Sequence, residues 1–162
     1  MARAGKTVQE SETQMTELAL PGDSNPLGNL LGGRVMHWID LAAAMAAMRH
    51  AGQVAVTASM DRVEFLSPIK VGQVVHLTAR LTWVGRTSME VRVDVDSEDM
   101  VSGDRHETST AYLTFVAIGP DGRPVPVPEL IVSSPEEVEE FQGAERRRGE
   151  RIKNRRKSSP AP

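Results

Sequence analysis

Asp40 is the first candidate for a catalytic residue, because it is a carboxylate inside a strongly apolar segment. The segment from Arg34 to Ala51 contains no proline and is rich in alanine and methionine, which predicts a helix that ends near Gly52. Its apolar residues lie nearly all round that helix, as expected for a helix enclosed by other structure. An ionised carboxylate is unfavourable there unless it is paired or solvated. The position alone leaves two interpretations open, a structural aspartate bonded to a neighbouring loop or a catalytic carboxylate.

Gly32 and Gly33 stand at the beginning of the same segment and form the second candidate. The first N–H groups of a helix have no partner within the helix and carry partial positive charge. Two residues without side chains allow a carbonyl group to approach these amides, as an oxyanion site requires, although such a pair more often marks a turn. Asp40 lies roughly 10 Å further along the helix, a separation that fits a bound group and its water. Asn25, in the preceding loop, is a third candidate, and loop asparagines are most often turn formers.

Alternation of apolar and polar residues predicts the strands that must surround this helix. Residues 75–83 and 89–95 alternate with a period of two, and a tight turn at Gly85-Arg86 joins them, which predicts a β-hairpin. Three further strands are predicted at residues 15–20, 54–65 and 107–118. The predicted order is therefore one strand, one buried helix and four strands in antiparallel succession.

The C-terminal part of the chain differs from the rest in charge. Ser134 and Pro135, followed by two glutamates, predict the start of a second helix. Residues 145–157 hold eight basic and two acidic residues, whereas the whole chain has a formal net charge of −3. Three interpretations of this basic tail are open: a nucleic-acid arm, a contact with an anionic ligand or partner, and a solvated helix end with a disordered terminus. The third is favoured, and no nucleic acid is predicted as a partner because the rest of the chain is acidic.

Composition excludes several classes of protein. The 162 residues are 40% hydrophobic and 25% charged, as in one globular domain. The absence of cysteine excludes thiol nucleophiles, disulfides and the common zinc sites, and the four histidines lack ligand spacing, so no metal is predicted. The longest strongly apolar run, residues 41–48, is shorter than the ~20 residues of a membrane helix, and residues 1–20 contain no apolar leader segment. We therefore expect a cytoplasmic protein without a membrane partner.

Three short segments resemble the hotdog-fold acyl-CoA thioesterases. The sequence from Asn25 to Asp40, NPLGNLLGGRVMHWID, has the family pattern N-x-x-G-x-x-x-G-G-x-x-M-x-x-x-D at every defined position. Two further segments, FLSPIKVG at 65–72 and VGRTS at 84–88, are similar to the other recurrent segments of the family. The resemblance covers about residues 11–130, and the single-domain bacterial acyl-CoA hydrolases are the nearest match.

The resemblance implies both a fold and a reaction. The fold is of the α+β class, an antiparallel sheet wrapped around one long central helix, here with a short C-terminal helix. The reaction is hydrolysis of acyl-CoA thioesters to a free carboxylic acid and coenzyme A. By position, Asp40 is the acid/base or the nucleophilic carboxylate, the amides of Gly32 and Gly33 polarise the thioester carbonyl, and Asn25 comes from the opposite protomer. Many relatives have histidine where this chain has Leu31, so no side-chain role is expected there.

The family also implies partners and a binding site for coenzyme A. Arg86, Thr87 and Ser88 at the hairpin turn are the candidates for contacting its phosphates, and Arg62 and Lys70 are weaker ones. No cofactor is expected, since coenzyme A is part of the substrate. The chain is expected to form a homodimer with two active sites across the interface, and to assemble further into a tetramer or hexamer.

The sequence leaves two alternative functions on the same fold to consider. A hotdog dehydratase would need a histidine-centred pair, which no residue beside Asp40 supplies convincingly. A non-catalytic module that binds or senses acyl-CoA could dispense with Asp40.

The sequence predicts three parts of the chain: a disordered N-terminus at 1–10, the hotdog domain at 11–130, and a C-terminal helix with the basic tail at 131–162.

Overall fold

The computed structural model describes residues 4–61 and 63–158. Along the chain, one long helix is followed by four consecutive strands of the main sheet. The elements are β1 (Lys6–Thr7), α1 (Val8–Ser11), β2 (Thr13–Leu18), a 3-10 turn (Pro21–Asp23), α2 (Gly32–Ala51), β3 (Val54–Met60), β4 (Val74–Val84), β5 (Ser88–Glu98), β6 (Arg105–Ile118), β7 (Leu130–Ile131) and α3 (Pro135–Ser158).

Five of these strands form one antiparallel sheet in the order β2-β4-β5-β6-β3. Apolar residues on alternate positions of the strands, such as Val75 and Leu77 of β4 and Val91 of β5, are buried, because one face of the sheet packs against α2. The predicted hairpin is therefore confirmed, and so is the predicted order of strands around one helix. The predicted strand at 54–65 ends earlier, at Met60, after a register shift between Thr57 and Ser59.

Helix α2 packs against the sheet along its alanine-rich side. Ala42, Ala43, Ala46 and Ala47 are completely buried, since small side chains let the helix approach the strands closely. Other positions of the helix carry large apolar side chains that are exposed in the single chain. These are Met36 at 41%, Leu41 at 43% and Met48 at 38% of their surface. One chain thus leaves part of the apolar surface of the central helix uncovered.

The N-terminal segment is more ordered than the sequence predicts. Residues 1–10 were expected to be disordered, but Lys6 and Thr7 pair in parallel with Leu130 and Ile131. The Glu10 carboxylate accepts a hydrogen bond of 2.6 Å from the backbone N–H of Thr7. The apolar side chain of Val8 is buried. Local capping and burial of one side chain therefore stabilise a segment whose composition alone indicates disorder.

The basic tail is a helix throughout its described length. The Ser134 hydroxyl accepts a hydrogen bond of 3.1 Å from the backbone N–H of Glu137, which confirms the predicted start of α3. The helix then continues through residues 145–157 to Ser158, so the basic tail forms the end of this helix over its described length. Its arginines contact the sheet face opposite α2, as described below. None of the helices in the described part of the chain is long and apolar enough to cross a membrane.

Candidate active site

Asp40 lies in the middle of α2, half-buried at the side of the helix next to β3. Its Oδ1 accepts a hydrogen bond of 2.7 Å from the hydroxyl of Thr57. The partner is thus a strand residue and not the loop that the structural interpretation requires. Sequence reasoning missed Thr57, because a single threonine in a strand carries no motif. The only available signal was its place on the strand that directly follows α2.

Gly32 and Gly33 are the first two residues of α2, as predicted. The first helical hydrogen bonds go from the N–H groups of Arg34 and Val35 to the carbonyl of Leu31, so the two glycine amides precede the hydrogen-bonded ladder. A Cβ placed on Gly33 would meet no atom within 4 Å, and one placed on Gly32 would lie 3.4 Å from the Phe65 ring. Gly33 is exposed to solvent and Gly32 is half-buried, so a ligand atom can approach this helix end, as an oxyanion site requires.

A small cavity of about 190 Å³ lies beside this helix start. Asn25, Gly32, Val35 and Phe65 are among the residues that line it. The Asn25 Oδ1 accepts hydrogen bonds from the backbone N–H groups of Leu27, at 2.9 Å, and Asn29, at 3.2 Å. Asn25 is therefore a turn former, as its type predicts, while its side-chain nitrogen takes no part in that turn. One chain thus brings Asn25 and Gly32 to the same cavity.

Asp40 does not belong to that cavity. It follows Gly33 by about two helical turns, roughly 10 Å along the axis, and its carboxylate contacts β3 rather than the loop of Asn25. The chain therefore presents the carboxylate and the oxyanion site as two separate halves on one helix.

The hairpin turn that was predicted to bind coenzyme A is held in place by backbone hydrogen bonds. The turn is closed by a 2.8 Å bond from the N–H of Gly85 to the carbonyl of Ser88, and a Cβ at Gly85 would lie 2.5 Å from the Trp83 ring. The carbonyls of Arg86 and Thr87 accept bonds from Val127 and Ala117, which hold the turn against the neighbouring segments.

The candidate residues for binding coenzyme A lie on different parts of the chain. Arg86 is exposed to solvent, and Ser88 lines a second cavity on the outer face of the sheet. Lys70 is exposed and forms a β-bridge with Asn29, next to the loop of Asn25. Arg62 lies outside the described residues. Among the described residues no group of acidic or histidine side chains could hold a metal ion.

Two groups with raised pKa values lie on the outer face of the sheet, opposite Asp40. Burial would lower the pKa of Arg147, but its contacts with the Glu90 carboxylate raise it above its ordinary value. Burial raises the pKa of Tyr112, whose ring lies 3.8 Å from the Arg147 guanidinium. Glu90 is only 1% exposed and accepts hydrogen bonds from Arg147 and from Thr82, both at 2.7 Å. These groups form the polar contact that docks α3 on the outer face.

Comparison with known proteins identifies the family and the class of enzyme. A family model described as the thioesterase superfamily matches residues 27–103. The "uncharacterized acyl-CoA thioester hydrolase YkhA" of Bacillus subtilis is 42% identical over 153 residues, which are 94% of this chain and 88% of that protein. The chain belongs to the hotdog-fold acyl-CoA thioesterases. This membership confirms the fold and the enzyme class predicted from the sequence, so the protein is a thioester hydrolase.

Solved structures of thioesterases agree with this assignment. The crystal structure of an apo-hexameric acyl-CoA thioesterase has a TM-score of 0.90 and 41% identity, covering 94% of this thioesterase and 97% of that chain. An acyl-CoA hydrolase from Staphylococcus aureus has a TM-score of 0.84 and 35% identity, covering 94% and 95% of the two chains. That hydrolase was solved in complex with butyryl coenzyme A, coenzyme A and coenzyme A disulfide.

The same Staphylococcus aureus hydrolase was also solved as three single variants. They carry alanine in place of an aspartate, an asparagine or a threonine. These three residues have the same spacing along that chain as Asp40, Asn25 and Thr57 have here. The similarity therefore extends to the residue types and spacing of the candidate site.

Proposed function

We propose that this thioesterase hydrolyses acyl-CoA to a free carboxylic acid and coenzyme A, with Asp40 as its catalytic carboxylate. The observation that carries the assignment is the 2.7 Å hydrogen bond from Thr57 to the Asp40 Oδ1. It fixes one carboxylate oxygen and leaves Oδ2 to act on water or on the substrate. The names of the similar hydrolases and the coenzyme A complexes of the Staphylococcus aureus enzyme support acyl-CoA as the substrate.

The reaction needs three groups, and the chain supplies candidates for each. Asp40 removes a proton from a water molecule, whose oxygen attacks the thioester carbonyl carbon. The carbonyl oxygen becomes an oxyanion that the N–H groups of Gly32 and Gly33 stabilise. Collapse of the intermediate breaks the C–S bond, the acid is released, and the proton held by Asp40 goes to the coenzyme A thiolate. Direct attack by Asp40 to form an anhydride is the alternative use of the same carboxylate.

The active site is proposed to require two chains. Asp40 and the cavity of Asn25 and Gly32 lie apart on one chain, and the apolar side of α2 is open. In a homodimer the Asp40 of one protomer would face the glycine amides and the Asn25 side chain of the other. The hexameric relatives support further assembly. The domain at 11–130 would hold all of these residues.

Coenzyme A is proposed to approach over the exposed basic residues. Arg86 and Lys70 are both solvent-exposed, so their side chains can reach the phosphates without loss of a buried contact. Thr87 and Ser88 would add hydroxyl donors. The proposed reaction uses only carboxylate, amide and water, and it therefore needs no cofactor.

Replacement of the catalytic carboxylate tests this function. Asp40→Asn keeps the size of the side chain and the bond to Thr57 but removes the base, so kcat for acyl-CoA hydrolysis should fall about 100-fold or more. Release of free thiol from coenzyme A measures the rate. Asp104→Asn, at an exposed position, makes the same chemical change elsewhere and should leave kcat unaltered. Near-normal turnover by a folded Asp40→Asn variant would overturn the assignment.

A further inference from the structure

A second cavity, of about 230 Å³, lies on the sheet face opposite α2, beneath the C-terminal half of α3. It is large enough for several waters or a small polyatomic anion, since one water occupies roughly 30 Å³ in the liquid. Residues of β3, β4, β5 and β6 form its floor and α3 forms its roof. Asp40, on the inner side of the same sheet, does not contribute to it.

The roof of this cavity is strongly basic. Arg148, Arg151 and Arg155 line it, and their spacing along α3 puts them on one side of the helix. The Arg148 guanidinium lies 5.2 Å from the centre of the Trp83 ring, a cation–π contact that holds the group over the sheet. Arg151 is paired with Asp61 at 3.0 Å. The described lining contains these three guanidinium groups and no carboxylate.

The floor of the cavity presents hydroxyl groups to those arginines. The strand register places Glu90, Thr114 and Ser59 side by side across β5, β6 and β3. Glu90 is already satisfied by Thr82 and Arg147. The Thr114 hydroxyl is buried and has no hydrogen-bond partner among the described residues. A buried polar group of this kind is unfavourable unless a ligand or water satisfies it. Ser59 and Ser88 add two more hydroxyl groups to the lining.

We propose that this outer cavity binds a phosphate or diphosphate group. Guanidinium groups and hydroxyls are the donors that suit a tetrahedral anion with several acceptor oxygens, and the side of α3 that faces the cavity supplies positive charge. The phosphate comes either from the coenzyme A of a bound substrate or from a free nucleotide or pyrophosphate. Ser88 belongs both to this lining and to the hairpin proposed above for coenzyme A. Only the coenzyme A source rests on the proposed function.

Titration calorimetry of the full chain with inorganic pyrophosphate tests the site. Arg148→Gln should weaken pyrophosphate binding about tenfold or more, because a charged donor is lost. Arg146→Gln removes the same charge from an exposed position of α3 that does not line the cavity, and should change the affinity less than twofold. Thr114→Val, which removes only the hydroxyl, should also weaken binding. Absence of pyrophosphate binding at millimolar concentration, or an equal loss in the Arg146 and Arg148 variants, would overturn the proposal.

Kinetics with two substrates identifies the source of the phosphate. If it belongs to coenzyme A, Arg148→Gln raises KM for acyl-CoA but not for an acyl-pantetheine thioester, which lacks the phosphates. If the site takes a free ligand, both KM values stay unchanged while pyrophosphate binding is lost. Asp40→Asn should bind pyrophosphate normally. A failure of the catalytic assignment and a failure of the outer site are therefore distinguished in the same set of variants.

Discussion

Thr57 determines the direction in which Asp40 can act. The Thr57 hydroxyl donates to Oδ1 at 2.7 Å, so the carboxylate is held by one oxygen and is free to react through the other. Thr57→Val keeps the shape of the side chain and removes the donor. We expect kcat to fall about tenfold with little change in KM, because a hydrogen bond to a charged group contributes about 1.5–3 kcal/mol. Steady-state hydrolysis of acyl-CoA measures both constants.

A serine at this position provides the matched control. Thr57→Ser keeps the hydroxyl and loses only a methyl group, so its kcat should stay within about threefold of the original. Full turnover by the valine variant would show that the hydrogen bond does not contribute to catalysis. A loss in the serine variant as large as that in the valine variant would show that the methyl group contributes as much as the hydroxyl.

His50 gives stability a dependence on pH. It is completely buried, its Nε2 lies 2.8 Å from the carbonyl of Pro128, and burial lowers its pKa. In the unfolded chain His50 binds a proton near pH 6.5, whereas in the folded chain it does so only at lower pH. Above pH 6.5 His50 is neutral in both states, and it does not reduce stability there. Stability should then fall by at most about 1.4 kcal/mol per pH unit as the pH decreases from 6.5 towards the lower folded pKa.

Thermal unfolding between pH 7.5 and pH 5 measures this contribution. His50→Gln retains an N–H donor for Pro128 and cannot titrate, so its Tm should decrease less steeply with acid than that of the original protein. His37→Gln, at an exposed position of α2, should keep the original slope. Equal slopes in the His50 variant and the original protein would contradict the prediction.

At the scale of elements, the sequence predicts those parts whose cause is local. The period-two alternation of residues 75–83 and the proline-free run of α2 are sufficient to identify a hairpin and a helix. The docking of α3 is not predictable in this way, because it depends on pairs far apart in the chain. Glu90 appears in the sequence as one more outward-facing strand residue, yet Arg147 covers it until only 1% is exposed. The role of Thr57 is hidden for the same reason.

Loss of the Glu90 carboxylate should weaken the attachment of α3. Arg147 contacts it through two hydrogen bonds, of 2.7 and 3.2 Å, and Arg151 lies 3.5 Å away. Glu90→Gln would leave these guanidinium groups without their charge partner and should lower the free energy of unfolding by about 2 kcal/mol or more. Urea titration measures the loss. Glu139→Gln, on an exposed position of α3, should change stability by less than about 0.5 kcal/mol, and an equal effect of both variants would refute the docking role.

The whole molecule has an apolar surface that a single chain does not cover. Met36, Leu41 and Met48 on α2 are each about two-fifths exposed, and Val56 on the neighbouring edge strand β3 is 47% exposed. Strand β3 is an edge of the sheet, so its outer backbone groups are available to another strand. Exposed apolar residues on a helix and on an unpaired edge strand are typical of an interface. Asp40 and Thr57 belong to the same helix and the same edge strand, which links assembly to activity.

A charge on this edge should separate the subunits and abolish hydrolysis together. Val56→Asp places a carboxylate where the proposed partner strand would pack, so sedimentation should show a smaller assembly. Its kcat/KM should fall about 100-fold or more, because the glycine amides and Asn25 of the second chain would no longer face Asp40. Val101→Asp introduces the same charge in the turn between β5 and β6, where the side chain is 99% exposed, and should leave both assembly and turnover intact. A monomeric Val56→Asp variant with full turnover would mean that one chain contains a complete active site. Substrate and water alone would then bridge the distance along α2 between Gly33 and Asp40.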